Sequence, residues 1–404
     1  GLTCAYLLNR QHDIQVFEAS DWIGGHTHTV DVQVDGRSYA IDTSFIVFND
    51  WTYPNFIRLL EQIGVGFKPT EMSFSVSDPA TGVEYNGHDL NTLFAQRSNL
   101  LSPAFWGMLR DILRFNRQSL DDLANNRISA DTTLGQYLDS NGYGRRFIEH
   151  YIVPMGSAIW SMSLADMLGF PLQFFVRFCK NHGLLSVSDR PQWQVIEGGS
   201  RSYVAPLTAS FAERIRLNCP VSRVVRDQDG VTLHSAAGSE RFDKVIFACH
   251  SDQALALLEQ PSEQERDILG ALPYANNDVV LHTDTRLLPK RKLAWASWNY
   301  RLGGPSDQPA AVTYDMNILQ GIDSDTTFCV SLNQTAAIDP SKILARFQYA
   351  HPQYSLAGTA AQARWEELLG AQHIYYCGAY WANGFHEDGV VSALRVARAF
   401  GETL

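Results

Sequence analysis

The stretch Asp13-Ile14-Gln15-Val16-Phe17-Glu18 alternates apolar and polar side chains and ends on a carboxylate. Ahead of it, Leu2, Ala5, Tyr6 and Leu8 recur at helical spacing behind Gly1. A glycine that hands over to a short helix, then a strand ending in an acid, is the grammar of a parallel βαβ unit. In such units glycines let the backbone approach a pyrophosphate at a helix N-terminus, where free N–H groups and the dipole favour anions. Glu18 stands 17 residues after Gly1, and about 22 after the first glycine of a G-x-G-x-x-G whose last glycine is Gly1, the spacing of an acid that holds an adenosine ribose. A lone glycine and a strand-ending Glu fit an unrelated αβ segment equally well. The sequence does not begin with Met and opens inside this pattern, so a further strand is expected ahead of Gly1.

Composition narrows the classes. The 404 residues are 45% hydrophobic and 19% charged, too apolar for a disordered acidic chain. The formal net charge of −11 carries no basic stripe for nucleic acid. Six cysteines without a C-x-x-C pair fit neither a zinc site nor a disulfide framework, and point to a reducing, cytoplasmic setting. Every apolar run falls short of the ~20 residues of a spanning helix, which leaves peripheral contact with the inner membrane as the compatible membrane association.

Residues 30–48 alternate around a turn at Asp35-Gly36 and are expected to form a hairpin. From 55 to about 180 the apolar spacing is mainly helical, with no nucleotide-binding feature. At Trp193-Gln194-Val195-Ile196-Glu197-Gly198-Gly199 strand-turn-helix grammar returns, and strands are expected at 219–225, 231–234 and 244–248. Further runs at 279–282, 293–300, 311–314 and 327–332 read as strands, and 374–377 as a strand leading to a helix over 389–400. Two interleaved domains follow: 1–54, 190–262 and 370–404 as a nucleotide-binding domain, and 55–189 and 263–369 as an inserted substrate domain.

Four segments carry a resemblance. Glu18-Ala19-Ser20-Asp21-Trp22-Ile23-Gly24-Gly25-His26-Thr27 is similar to the E-A-x-x-x-x-G-G-R stretch of the flavin-containing amine oxidase superfamily, with His26 where Arg is usual. Glu197-Gly198-Gly199-Ser200, the Val221 strand pair, and Tyr376-Cys377-Gly378 with Gly384-Phe385-His386-Glu387-Asp388-Gly389-Val390 resemble its later motifs. The resemblance implies an α/β, Rossmann-like (glutathione-reductase-like) FAD-binding domain with an inserted α+β substrate domain. It implies FAD held by Gly1, Glu18, Ala19, Gly24, Gly25, His26, Thr27, Val221, Gly378, Asp388, Gly389 and Val390, with the last helix pointing its positive end at the flavin. Gly378-Ala379-Tyr380-Trp381 and Gly384–Gly389, with His351-Pro352-Gln353-Tyr354, look like a bacterial group of predicted NAD/FAD-binding oxidoreductases. That group is related to the flavin domain of plant cyclopropane-fatty-acid synthases.

That likeness implies oxidation of an apolar, fatty-acyl substrate, with a cyclopropane-synthase-like methyltransferase as candidate partner. Phe385 replaces the Tyr that amine oxidases commonly place there, and Asn276-Asn277-Asp278-Val279 lacks their usual Lys. Phe170, Phe174, Phe175, Phe178, Trp295, Trp298 and Tyr300 either line an acyl pocket or fill the core. His386 and Glu387 are the candidates for proton transfer, with Tyr314 behind them. An amine oxidase, or a flavin protein that positions lipid without redox turnover, are the competing readings.

Overall fold

The computed structural model describes residues 1–303, 307–308 and 310–404. The helix Leu2–Leu8 leads to the strand Val16–Phe17, which pairs in parallel with Ile215–Arg216. Val245–Phe247 pairs in parallel with Ile374–Tyr376. Segments 199 and 129 residues apart thus meet as parallel neighbours. Such pairs need crossovers rather than tight turns, and are buried on both faces.

Gly1 shows why a glycine heads the first helix. A Cβ there would lie 2.9 Å from the Cβ of Ala248, just past the strand Val245–Phe247. Close helix–strand packing is one of the uses of glycine in nucleotide-binding units. Leu7, Phe56, Leu60, Val390 and Leu394 then close one core between the first helix, Pro54–Gln62 and the last helix, His386–Arg398.

The hairpin Thr29–Val34 with Arg37–Asp42 forms within the expected 30–48 stretch, while Val47–Asn49 pairs instead with Trp193–Ile196. Its turn residues, Asp35 (φ +50°) and Gly36 (φ +77°), are both left-handed, as a two-residue type I′ turn requires. Val221–Arg226, Val231–Ser235 and Gly238–Phe242 form an antiparallel meander.

A seven-stranded mixed sheet runs in the order Ile343–Pro352, Tyr274–His282, Cys329–Leu332, Val312–Asp315, Trp298–Arg301, Phe74–Asp78, Val83–Asn86. Two visits of the chain, at 74–86 and 274–352, build it. Helices between 103 and 181 cover an aromatic core that includes Phe105, Phe115, Phe147, Phe170 and Phe175. Among the described residues no helix is long and apolar enough to cross a membrane.

Two local expectations change. The region read as mainly helical holds the strands Phe67–Thr70, Phe74–Asp78 and Val83–Asn86. Ser73, Ser75 and Ser77 alternate with the apolar side chains there, yet all three are buried. The Ser75 hydroxyl donates to Asn299 Oδ1 (2.8 Å), so the polar side of this alternation is buried and satisfied by a neighbouring strand. The run at 293–300 is a turn, Lys292–Ala294, then the strand Trp298–Arg301.

A buried ion pair fastens the meander to the parallel strands. Both Arg226 terminal nitrogens donate to Glu265 (2.6 Å each), and the Tyr376 hydroxyl donates to the same carboxylate at 2.6 Å. Burial alone would raise Glu265, but Arg226, Tyr376 and the Ser262 N–H bring it down to about 2. We expect Glu265→Gln to cost about 3–5 kcal/mol in urea unfolding at neutral pH, the price of an uncompensated buried charge. Because the folded carboxyl titrates below its unfolded value, this stabilisation is present above about pH 4.5 and fades as pH falls towards 2. The parent and the variant should therefore converge in acid.

Candidate active site

The carboxylate at the first strand's end is only half committed. The Glu18 N–H donates to Arg216 O, and its carbonyl accepts from Cys219 N, both at 2.9 Å. One side-chain oxygen accepts from Ser20 N (2.9 Å), and the other makes no hydrogen bond with the described residues. Ala19 beside it is exposed, and Val221 is half-buried at the start of the meander. Gly24 (φ +112°) and Gly25 (φ +58°) then reverse the chain. A Cβ on Gly25 would meet nothing within 4 Å.

Past the glycine pair lies a knot of polar aromatics. The buried Thr27 hydroxyl lies 2.6 Å from the Tyr203 hydroxyl and 3.2 Å from His386 Nε2. Tyr203 Oη lies 2.8 Å from the same nitrogen. The imidazole stacks on Phe45, with ring centres 3.3 Å apart. Burial, with His26 nearby, pushes His386 down to about 3, so the ring is neutral at physiological pH.

Three further imidazoles face one another. His26 lies parallel to His250 (5.9 Å between centres), 5.7 Å from His351 and 5.4 Å from the Tyr349 ring. His250 stacks on Tyr274 at 4.1 Å. Burial and these neighbours push His26 down to about 3 and His351 to about 4. The cluster is polar and uncharged.

Asp42 holds the surrounding loops. It is fully buried and accepts from the Thr29 hydroxyl (2.5 Å), the Ser200 N–H (2.9 Å) and hydroxyl (2.9 Å), and Gln320 Nε2 (3.1 Å). Burial nevertheless raises its carboxyl to about 6. Gly199, at φ +90°, sits so close that a Cβ would fall 2.6 Å from Thr29 Cγ2 and 3.1 Å from Asp42 Oδ1. The Glu197-Gly198-Gly199-Ser200 motif is thereby tied to the hairpin, and it delivers Tyr203 to His386.

The structure relocates several expected residues. Glu387 accepts from Asn55 N (3.2 Å), Asn55 Nδ2 (2.6 Å) and Phe56 N (2.9 Å). It caps the helix Pro54–Gln62, so this carboxylate anchors and is not placed to carry a proton. Asp388 accepts from Asn383 N (3.1 Å) and Phe385 N (2.9 Å), closing the turn rather than facing a ligand. The Val390 side chain lies in the core. Tyr314 is buried in the seven-stranded sheet with its ring on Trp298, 5.0 Å between centres, and none of its ring contacts reaches His386. Phe170, Phe175, Phe178 and Tyr300 are core residues, while Phe174 remains half-buried beside Tyr354.

Phe45, Tyr203, Tyr349, His250 and Asp42 were not foreseen. Their partners lie far along the chain and no local spacing marks them. His351 lies in a stretch that the resemblance had picked out.

These residues fit a flavin dinucleotide. Glu18 offers a free carboxylate oxygen at the end of a parallel strand. Gly24 and Gly25 turn through conformations that L side chains rarely adopt. Gly378 passes so near Tyr380 that a Cβ would run into the ring, and a Cβ on Gly389 would enter open space, with no protein atom within 4 Å. The first turn of the last helix thus leaves space beside Gly389. That arrangement would hold an FAD with its ribose at Glu18 and its diphosphate beside Gly24-Gly25, and no carboxylate free at the far end.

The family model described as flavin containing amine oxidoreductase matches residues 1–317. A redesigned putrescine oxidase superposes with a TM-score of 0.70 at 15% identity, covering 99% of this chain and 95% of its own. Cyclohexylamine oxidase from Brevibacterium oxydans gives 0.67 at 16% identity, covering 98% and 95%. A fatty acid isomerase from P. acnes gives 0.69 at 13% identity, covering 99% and 95%. At these identities the likeness is one of fold. No curated protein sequence matches the chain.

Glu18→Ala removes a charge-assisted acceptor, so FAD affinity should fall by about 1.5–3 kcal/mol, roughly 10- to 150-fold. Retention of FAD through dialysis at the parent level would remove Glu18 from the site.

Proposed function

The chain belongs to the flavin-containing amine oxidoreductase family and is an FAD-dependent oxidoreductase, and we propose that it dehydrogenates or desaturates an apolar, fatty-acyl substrate. One observation carries this reading. From Phe385 at the last helix's turn, ring contacts run to Phe178 (5.0 Å), on to Trp160 (4.8 Å), and then to Phe170 (4.4 Å) and Phe174 (6.1 Å). Behind the turn the core is therefore a run of packed aromatic rings, with Phe385 and Phe174 left half-buried at its ends, an apolar backing of the kind an acyl-chain pocket requires.

The charge pattern supports the same class. Asp42, Glu387 and Asp388 are the carboxylates around the turn, and N–H or hydroxyl donors already occupy each. The facing imidazoles are held neutral. An ammonium group would lose its hydration there and find each of these carboxylates already engaged by other donors, whereas an uncharged carbon chain loses little.

When bound, FAD supplies the two-electron acceptor. The chain's own residues do the rest. Thr27 and Tyr203 fix the His386 ring through Nε2, and Phe45 clamps its face, so the imidazole keeps one orientation. The aromatic wall excludes water. His26 and His351 supply uncharged nitrogens for holding a proton or a substrate oxygen beside the glycine pair. Cations are not required.

The test is anaerobic stopped-flow mixing of the purified flavoprotein with acyl thioesters, acyl phospholipids and polyamines. Acyl substrates should bleach the flavin band, and polyamines should leave it unchanged. Bleaching by polyamines with peroxide release would instead make this an amine oxidase, and no bleaching by any of them would make it a non-redox flavin protein. His386→Ala should retain FAD and slow acyl-driven bleaching by about tenfold or more.

A further inference from the structure

The helix Pro103–Ala124 turns Phe105, Met108 and Phe115 into the core. Its other side places Trp106, Arg110, Leu113 and Arg117 on one exposed stripe, at i, i+4, i+7 and i+11 spacing. Trp106 is 50% and Leu113 58% exposed, with Leu101 at 87% and Leu90 at 76% on the turns before them. These side chains are held out rather than loose. The Trp106 indole N–H donates to Leu100 O (2.9 Å), and its ring rests on Phe94 with centres 5.4 Å apart.

The short helix Leu90–Leu93 packs against the turn Lys292–Ala294, which adds the exposed Leu293 to the same face. The charge here runs against the chain's. Residues 285–303 contain Arg286, Lys290, Arg291, Lys292 and Arg301 and no Asp or Glu, in a chain of net charge −11. Asp284 binds Arg286 and Glu84 binds Arg291. Lys290, Lys292, Arg110 and Arg117 are exposed and make no ion pair with the described residues. Between 90 and 120 the one acid is Asp111, buried against Arg114 and the Gly144 N–H.

We propose that this face docks the protein peripherally on an anionic lipid surface, a property that does not depend on the substrate assigned above. Single exposed leucines are ordinary, but several protruding ones ringed by unpaired cations are the composition of an interfacial anchor. Leu101 and Leu90 stand proud of the surface, a shape suited to insertion among lipid headgroups. An indole with an apolar body and a polar edge belongs at that depth. Each basic side chain near such a surface adds about fivefold in affinity, and it does so only where the lipid is anionic.

The test is flotation of the FAD-loaded protein with vesicles of phosphatidylcholine alone or mixed with phosphatidylglycerol. Binding is expected to the mixed vesicles, to weaken as salt is raised, and to be slight on the neutral ones. Lys290→Glu with Lys292→Glu, and separately Leu101→Ser with Leu113→Ser, should each lower partition at least tenfold. Both should leave the melting temperature and flavin content at parent values. Indole emission should shift blue on adding anionic vesicles, and Trp106→Phe should abolish most of that shift. Parent protein that floats with neither vesicle overturns the proposal. So do variants that bind like the parent, or a face that captures an acidic protein while ignoring anionic lipid.

Discussion

Asp42 is a buried carboxylate that burial pushes up to about 6, and four donors compensate it. The rest of the site is hung from this node. Thr29 belongs to the hairpin, Ser200 to the Gly-Gly-Ser turn, and Gln320 to the end of the short helix Met316–Leu319 between two strands of the seven-stranded sheet. One side chain therefore registers three parts of the chain that share no local sequence. It also dictates Gly199, since any Cβ there would strike Thr29 and crowd the carboxylate itself. Once Ser200 is fixed, the turn Ser200–Tyr203 carries Tyr203 to Thr27 and His386.

The last helix is positioned by a parallel device at its own start. Glu387 reaches across to cap the helix Pro54–Gln62, and Asp388 folds back on the N–H groups of Asn383 and Phe385. Both acids of this conspicuous motif are spent on architecture. What they leave facing outward is Gly389 and the backbone of the helix's first turn. The carboxylates build the site and the backbone lines it.

Much of this was legible in the chain, for identifiable reasons. The strand ending at Glu18, the hairpin turn at Asp35-Gly36 and the closing helix are local patterns: alternation, paired left-handed residues and 3.6-residue periodicity. The strand Phe74–Asp78 went unread although Phe74-Ser75-Val76-Ser77 alternates, because this short run lies in a region whose longer patterns are helical. Asp42, Phe45 and Tyr203 were not legible, because the partners that give them significance, Gln320 and His386, lie 183 to 341 residues away. Glu387 misled for the opposite reason. An acid beside a histidine near a flavin-type turn suggests proton transfer, and only the tertiary contact with Asn55 and Phe56 discloses a helix cap. The aromatic residues at 170–178 were open to two readings, and packing assigns most of them to the core while still making that core one wall of the site.

If the flavin ring lies before the last helix, a side chain introduced by Gly389→Val must collide with it. A Cβ at 389 meets nothing beyond its own helix within 4 Å, and the helix cost of replacing glycine is well under about 1 kcal/mol. The variant should therefore fold with a melting temperature close to the parent's. Measured after denaturing release, its FAD content should be near zero, while binding of ADP, the adenine half alone, persists at parent affinity. A folded Gly389→Val protein that carries FAD at the parent stoichiometry, with an unchanged flavin spectrum, would contradict the account.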